Sequence, residues 1–280
     1  MGIFSDYLLV SDFDLTITDQ EDRVPPANLQ AVADFVAQGG AFTVATGRSV
    51  PMALSRLRDF PRTAPLITFN GAVCSEPTTG ECLWSEPLPA DYVDLFRPYQ
   101  SQDGPYCLEL QALEGHYVFH HDDHREQYLL RHQVPVLRAP WDQVPGPVYK
   151  LSLYTPGKRL FATAYGSETA LYFERLAREF RTLGGGRYDA INSRPGIVEV
   201  QSAACSKGKS ARRLASLLGR RVLVCVGDSM NDLSMLEEAD LGFCTGDCDP
   251  SLPRPGLRQT VPCGEGALAG VIEQLMAETR

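Results

Sequence analysis

An apolar run, Tyr7-Leu8-Leu9-Val10, leads through Ser11 into Asp12-Phe13-Asp14-Leu15-Thr16. The run reads as a short buried strand, and such strands do not ordinarily end in two carboxylates. Residues two apart on a strand share a side, so Asp12 and Asp14 are expected to converge on one object. Two carboxylates at one point repel each other unless a cation or a shared proton relieves them. A divalent, oxygen-seeking cation such as Mg2+ meets that demand, and phosphate is its usual companion. A strand running into an acidic turn, with Thr16 as a cap, accounts for the same five residues.

A second acidic cluster favours the cation. Val222-Leu223-Val224-Cys225-Val226 is another buried-strand run, followed by Gly227-Asp228-Ser229-Met230-Asn231-Asp232. Gly227 allows a tight exit from the strand. Asp228 falls at the strand end and Asp232 near the start of the next helix. Capping that helix needs one oxygen-bearing side chain, and this loop carries four in five positions.

Two further segments bear on phosphate. Ala41-Phe42-Thr43-Val44-Ala45 is a strand pattern ending in Thr46-Gly47-Arg48-Ser49, where a hydroxyl, a glycine and helix-start amides make a fitting phosphate cradle. Ser206-Lys207-Gly208-Lys209-Ser210 opens an amphipathic helix through Leu214, Leu217 and Leu218. A lysine at a helix start opposes the macrodipole, so it points to an anion. Gly208-Lys209-Ser210 is not a nucleotide P-loop, because Ala203 stands where that motif wants glycine.

Taken in order, Asp12-x-Asp14-x-Thr16, Thr46-Gly47-Arg48, Lys207-Gly208 and Gly227-Asp228-x-x-Asn231-Asp232 resemble the haloacid dehalogenase superfamily of phosphatases. The chain is most similar to the Cof-type branch, which includes sucrose-phosphate and mannosyl-phosphoglycerate phosphatases. Ile67-Thr68-Phe69-Asn70-Gly71-Ala72 resembles that branch's segment before a large cap insertion. Leu15 departs from the pattern, since many members carry glycine there.

The resemblance implies an α/β fold: a Rossmann-like parallel-sheet core, residues 1–85 and 187–280, with an inserted α+β cap domain, residues 86–186, closing over the active site. It implies a phosphoric monoester hydrolase acting through an aspartyl-phosphate. Asp12 would be the nucleophile and Asp14 the acid and base. Mg2+ would be held by the Asp12 carboxylate, the Asp14 backbone carbonyl and Asp228, with Asp232 in support. Thr46 and Lys207 would hold the phosphoryl oxygens, with Gly47, Arg48, Asn70, Gly71 and Asn231 nearby. An acid at position 14 goes with phosphatases and phosphomutases of the superfamily. A mutase would share the first half-reaction, and a silent binding protein would have lost at least one of these residues. A large cap implies a small, diffusible phosphate ester, a sugar phosphate by family.

The pattern along the chain agrees. Strand 7–12, helix 26–38, strand 41–45, helix 50–58 and strand 65–69 alternate, with Leu29, Val32, Ala33 and Val36 facing the core. Helix 207–218, strand 222–226, helix 230–238, strand 241–244 and a helix from 265 to the end repeat the alternation, which argues a parallel sheet. Ligands of such sheets sit beyond the carboxyl ends of the strands, where Asp12, Thr46, Asn70 and Asp228 fall. The middle differs. Tyr106–Leu110, Tyr117–Phe119 and Val148–Tyr154 alternate like half-exposed antiparallel strands, and a helix over 168–181 presents Leu171, Leu176 and Phe180. Gly184-Gly185-Gly186 reads as a hinge or loop.

Composition excludes some partners. With 26 basic and 35 acidic residues the 280-residue chain carries a net charge of −9 and shows no basic block, so a nucleic-acid phosphate backbone is disfavoured. No apolar stretch approaches the roughly 20 residues that span a bilayer. The first residues lack the basic and apolar parts of a signal peptide, so no membrane partner and a cytoplasmic location are expected. The eight cysteines, such as Cys74, Cys107 and Cys225, mostly sit in apolar runs as reduced thiols would. Cys244 and Cys248, with Cys263, have a loose zinc-like spacing. All five histidines lie in the middle segment. His120-His121-Asp122-Asp123-His124 reads as a solvated loop, with transition-metal binding or substrate contact as alternatives. Oligomeric state is not legible.

Overall fold

A computed structural model describes residues 2–100, 104–157, 163–252 and 255–279. The chain forms two compact units, Met1–Trp84 with Ser206–Arg280, and Ser85–Cys205. It begins with β1 (Tyr7–Ser11), α1 (Pro26–Ala37), β2 (Ala41–Val44), α2 (Val50–Arg56), β3 (Leu66–Thr68), β4 (Val73–Ser75) and β5 (Cys82–Ser85). The second unit carries α3 (Tyr92–Leu95), β6 (Cys107–Gln111), β7 (His116–Val118), α4 (Asp123–Arg131), β8 (Val136–Leu137), β9 (Lys150–Tyr154), α5 (Glu168–Thr182), β10 (Tyr188–Arg194) and β11 (Ile197–Ser202). The chain then completes the first unit with α6 (Lys207–Leu217), β12 (Val222–Gly227), α7 (Leu233–Glu238), β13 (Leu241–Cys244), β14 (Arg258–Gln259) and α8 (Ala267–Glu278). The last residue of the helix expected to run to the chain end, Arg280, lies outside the described residues.

The first unit is an α/β layer structure. Its sheet runs β14-β13-β12-β1-β2, with every pair parallel. A single parallel bridge, Ala45 to Ile67, continues it to β3, which also pairs antiparallel with β4. Strands covered on both faces must be apolar throughout, which is why β1 and β12 read as unbroken runs. Successive side chains of β1 serve opposite cores. Leu9 packs with Val32 and Phe35 of α1 and Leu268 and Ile272 of α8. Leu8 and Val10 pack with Ala211 and Leu214 of α6 and Met235 of α7.

Helix faces are rotated slightly from expectation. In α1 the buried apolar residues are Val32 and Phe35, and Ala33 is exposed. In α6 Leu214 is buried while Leu217 faces out. In α5 Leu171 is exposed and Phe173 takes its place beside Leu176 and Phe180.

The second unit holds a six-stranded sheet, β10-β11-β9-β6-β7-β8. Only β7 and β8 are parallel. Leu108, Leu110, Leu151, Leu153, Val198 and Val200 pack with Phe173, Leu176 and Phe180 of α5. The alternation expected to mean half-exposure does not: β6 and β9 are buried at every position. Their polar residues satisfy one another instead. The Glu109 carboxylate accepts from Arg125 (Nε at 2.7 Å, Nη2 at 2.8 Å) and from Gln111 at 2.7 Å, and lies 2.8 Å from His116 Nδ1. Lys150 pairs with Glu199.

Residues 187–205, expected to belong with the core, pair within this sheet through β10 and β11. Of the hinge and loop readings of Gly184-Gly185-Gly186, the structure fits the loop. The segment forms a 3-10 turn, all three at positive φ, that carries the chain from α5 into β10. Asp122 caps α4 by accepting from His124 N and Arg125 N, so the histidine run is a helix start. His120 Nδ1 accepts from Leu108 N, and His121 contacts Asp123 and Glu126. Cys263 Sγ donates to Asp247 and Cys244 Sγ to the Arg258 carbonyl. Among the described residues neither the histidines nor the cysteines join a metal-ligating group of three. Nor is any helix long and apolar enough to cross a membrane.

Burial works to raise the Glu109 carboxyl, but Arg125 and His116 outweigh it and hold it well below the usual range. The stability this brings is fully present above the unfolded value of about 4.3 and is lost as pH falls. Arg125→Met would leave Glu109 short of its main partner in a fully buried position. A loss of about 3 kcal/mol is expected in urea unfolding, and less for the double variant with Glu109→Gln.

Candidate active site

Parallel pairing sets the site. Ser11 is level with Val226 on one side and Val44 on the other, so β12, β1 and β2 end together. Asp12, Asp228 and Thr46 follow those ends. The Asp12 N–H donates to the Val226 carbonyl at 2.9 Å, which carries the strand one residue further and directs the next turn.

Lys207, first residue of α6, is 1% exposed and reaches into this end of the sheet. Its Nζ donates to Asp12 Oδ1 at 2.6 Å and to Asp232 Oδ1 at 2.7 Å. The other Asp232 oxygen, Oδ2, accepts from Asp228 N at 3.0 Å and Ser229 N at 3.2 Å. Asp232 and Ser229 form a capping box, so the capping and the charged roles of Asp232 coexist. Gly227 is required here, because a Cβ would lie 2.5 Å from the Asp232 side chain. The Thr16 hydroxyl donates to Asp228 Oδ1 at 3.0 Å. On sequence Thr16 is a turn cap or a position in the motif, and its tie to a residue 212 positions away has no local signal.

Carboxylate oxygens of Asp12, Asp228 and Asp232 lie within 4.8 Å of one another, and all three residues are buried. Three carboxylates against one ammonium leave two negative charges, the charge one divalent cation would balance. The protein shows the strain of that imbalance. Burial first, then Asp232, push the Asp12 carboxyl up to about 7 against the pull of Lys207. Burial, Asp232 and Asp12 likewise push Asp228 well above the usual carboxylate range. Burial pulls the Lys207 ammonium down, but Asp12 and Asp232 outweigh it and hold it above the usual lysine range. An all-oxygen donor set suits a hard cation such as Mg2+ or Ca2+.

Asp14 does not join this cluster with its carboxylate. Strand geometry stops at Ser11, so the two-residue repeat no longer applies. Arg48 takes the Asp14 carboxylate instead, Nε to Oδ2 at 2.9 Å and Nη2 to Oδ1 at 2.6 Å. Arg48, named on sequence as a substrate contact, is therefore a partner of Asp14, stacked 5.5 Å from the Phe13 ring centroid. Leu15 adopts φ 59, the backbone region that favours glycine, and its N–H donates to Thr18. The leucine is thus held at a strained φ in a turn tied to Thr18.

Thr46 Oγ1 accepts from Arg48 N at 3.2 Å across Gly47. Asn70 N donates to the Thr46 carbonyl at 3.0 Å, which puts the buried Asn70 against the Thr46 loop. The Asn231 Oδ1 accepts from Ser229 Oγ at 2.6 Å. Hydrogen bonds link Asp12, Lys207, Asp232, Asp228 and Thr16, and hydrogen bonds also link Asp14, Arg48, Thr46 and Asn70.

A model of the haloacid dehalogenase-like hydrolases matches residues 9–254. The chain belongs to that family, and is a hydrolase. It is 26% identical to the YxeH protein of Bacillus subtilis (strain 168), over 96% of this chain and 98% of that one. It is 25% identical to the HMP-PP phosphatase of Yersinia enterocolitica, over 96% and 95%. Among solved structures, a haloacid dehalogenase-like hydrolase from B. subtilis superposes with a TM-score of 0.79 at 20% identity, over 96% of this chain and 99% of that one. A subclass IIB sugar phosphatase superposes at 0.78 with 18% identity, over 96% and 98%.

The raised Asp12 carboxyl yields a pH test. Its folded value, about 7, exceeds the unfolded value of about 3.9, so ionising it costs stability as pH rises through that window. Melting temperature of the cation-free protein should therefore fall between about pH 4 and pH 7 on this account. A divalent cation should abolish that fall, and Asp228→Asn should blunt the cation's effect.

Proposed function

We propose that this chain is a Mg2+-dependent phosphatase of a small phosphate ester, working through an aspartyl-phosphate on Asp12. The observation that carries the reading is Lys207, buried and bonded to both Asp12 and Asp232 beside Asp228. YxeH is provisionally named a phosphatase, and the Yersinia relative is named for HMP-PP. Every residue in this chemistry belongs to the unit Met1–Trp84 with Ser206–Arg280.

Asp12 attacks phosphorus in line. An Asp12 oxygen–phosphorus bond forms as the bond to the leaving oxygen breaks, which replaces one difficult displacement by two easier ones. Lys207 fixes the Asp12 carboxylate through Oδ1 and supplies positive charge where the phosphoryl oxygens gather negative charge. The Thr46 hydroxyl and the Gly47 region hold those oxygens, with Asn70 and Asn231 supporting their loops. Asp14 protonates the leaving oxygen and then takes a proton from the water that releases phosphate. To do so its carboxylate must leave Arg48, which holds it in this structure. Mg2+ would be held by Asp12, Asp228, Asp232 and the Asp14 carbonyl. When bound it neutralises phosphoryl charge and lets Asp12 approach an anion.

A sugar phosphate is the first ester class to test, on the family resemblance. Phosphate release from a panel of small esters should require Mg2+ and fall to background in Asp12→Asn. Turnover that survives Asp12→Asn would overturn the reading. Asp14→Asn should slow esters with poor leaving groups far more than aryl phosphates, whose leaving oxygen needs no proton, by about 10²-fold or more.

A further inference from the structure

Three consecutive residues, Phe69, Asn70 and Gly71, take φ values of 51, 55 and 102. Two of them are not glycine. The left-handed region is costly for an L-residue, and a bulky side chain there is an outlier. Such strain persists only where the surroundings over-determine it. The turn joins β3 to β4, and Phe69, Asn70, Gly71 and Ala72 are all buried.

On one side the left-handed backbone aims two successive N–H groups at the loop after β2. Phe69 N donates to the Arg48 carbonyl and Asn70 N to the Thr46 carbonyl, each at 3.0 Å. On the other side Gly71 lies against the start of α6. A Cβ there would stand 2.2 Å from the Ser206 carbonyl oxygen and 2.7 Å from Lys207 N. The Gly71 carbonyl accepts from Ser210 Oγ, one turn into α6, at 2.7 Å. One thickness of backbone therefore separates the Thr46 loop from the Lys207 backbone.

We infer that the left-handed turn Phe69–Gly71 is the spacer that sets the separation of Thr46 from Lys207, with Gly71 as its positioning residue. Rigid contact on both faces explains why two residues accept strain: a relaxed turn would lose the bonds to Thr46 and Arg48 or back away from α6. A side chain at Gly71 meets the backbone of Ser206 and Lys207, so either the turn or the start of α6 must shift. Either shift changes the separation of Thr46 from Lys207. The inference rests on the proposed function, in which Thr46 and Lys207 grip the phosphoryl group.

The test is the dissociation constant of inorganic phosphate, measured by calorimetry on the full chain in Mg2+ buffer, beside p-nitrophenyl phosphate turnover. Loss of folded protein lowers the stoichiometry, whereas displacement of Lys207 weakens the affinity. Gly71→Ala should weaken phosphate binding at least tenfold and lower kcat by about 10²-fold, the scale of an ångström of misplacement. Ser210→Ala, which removes one hydrogen bond to the turn, should weaken binding by about fivefold. Gly256→Ala, also at positive φ but facing open space, carries backbone strain alone and should leave affinity unchanged. Wild-type affinity in folded Gly71→Ala overturns the inference. If Gly71→Ala does not fold, wild-type affinity in Ser210→Ala overturns it. Wild-type protein that binds no phosphate, or Asp12→Asn that keeps turnover, overturns the proposed function instead.

Discussion

A buried ammonium between two carboxylates organises the first unit. Lys207 brings a charge into a position that is 1% exposed, and such a charge is tolerated only when paired and hydrogen-bonded. Asp12 and Asp232 meet that demand at 2.6 and 2.7 Å. Those three residues come from the start of α6, the end of β1 and the loop after β12. One interaction thereby joins segments almost 200 residues apart in the chain, across the whole inserted unit. It also leaves three carboxylates against one ammonium, an imbalance that a divalent cation would offset.

The two units treat buried charge differently. In the second, Glu109 is saturated by Arg125, Gln111 and His116, and Lys150 has Glu199. Burial there is matched within the sheet, and the Glu109 carboxyl is held low. In the first, Asp12, Asp228 and Asp232 share one lysine, and two carboxyls are pushed up. Carboxyls pushed up at the carboxyl ends of parallel strands fit the place where such sheets bind ligands, whereas the Glu109 network closes on itself.

Much of the first unit was legible because its physics is local. Continuous apolar runs announce doubly covered strands, and β1, β2, β12 and β13 lie where those runs do. Oxygen-bearing residues just past the runs marked the candidate site for the same reason. The second unit was less legible. An alternation of polar and apolar residues ordinarily means a face in water, but β6 and β9 bury both faces. Nothing in Glu109 or Lys150 alone says that Arg125 and Glu199 are opposite. Likewise β10 and β11 were left out of the second unit because its boundary was drawn at three glycines that merely turn the chain from α5 into β10.

Residue type and strand periodicity, acting over a few neighbours, therefore settled the parallel core, the order of its elements and the acidic ends of β1 and β12. Tertiary structure decided which charges meet. It sent Asp14 to Arg48 rather than to Asp12, tied Thr16 to Asp228, and pressed Gly71 against Ser206 and Lys207. Pairings of that kind depend on where distant segments stop and turn. Strand period ends with the strand, and beyond it only packing determines the direction of a side chain.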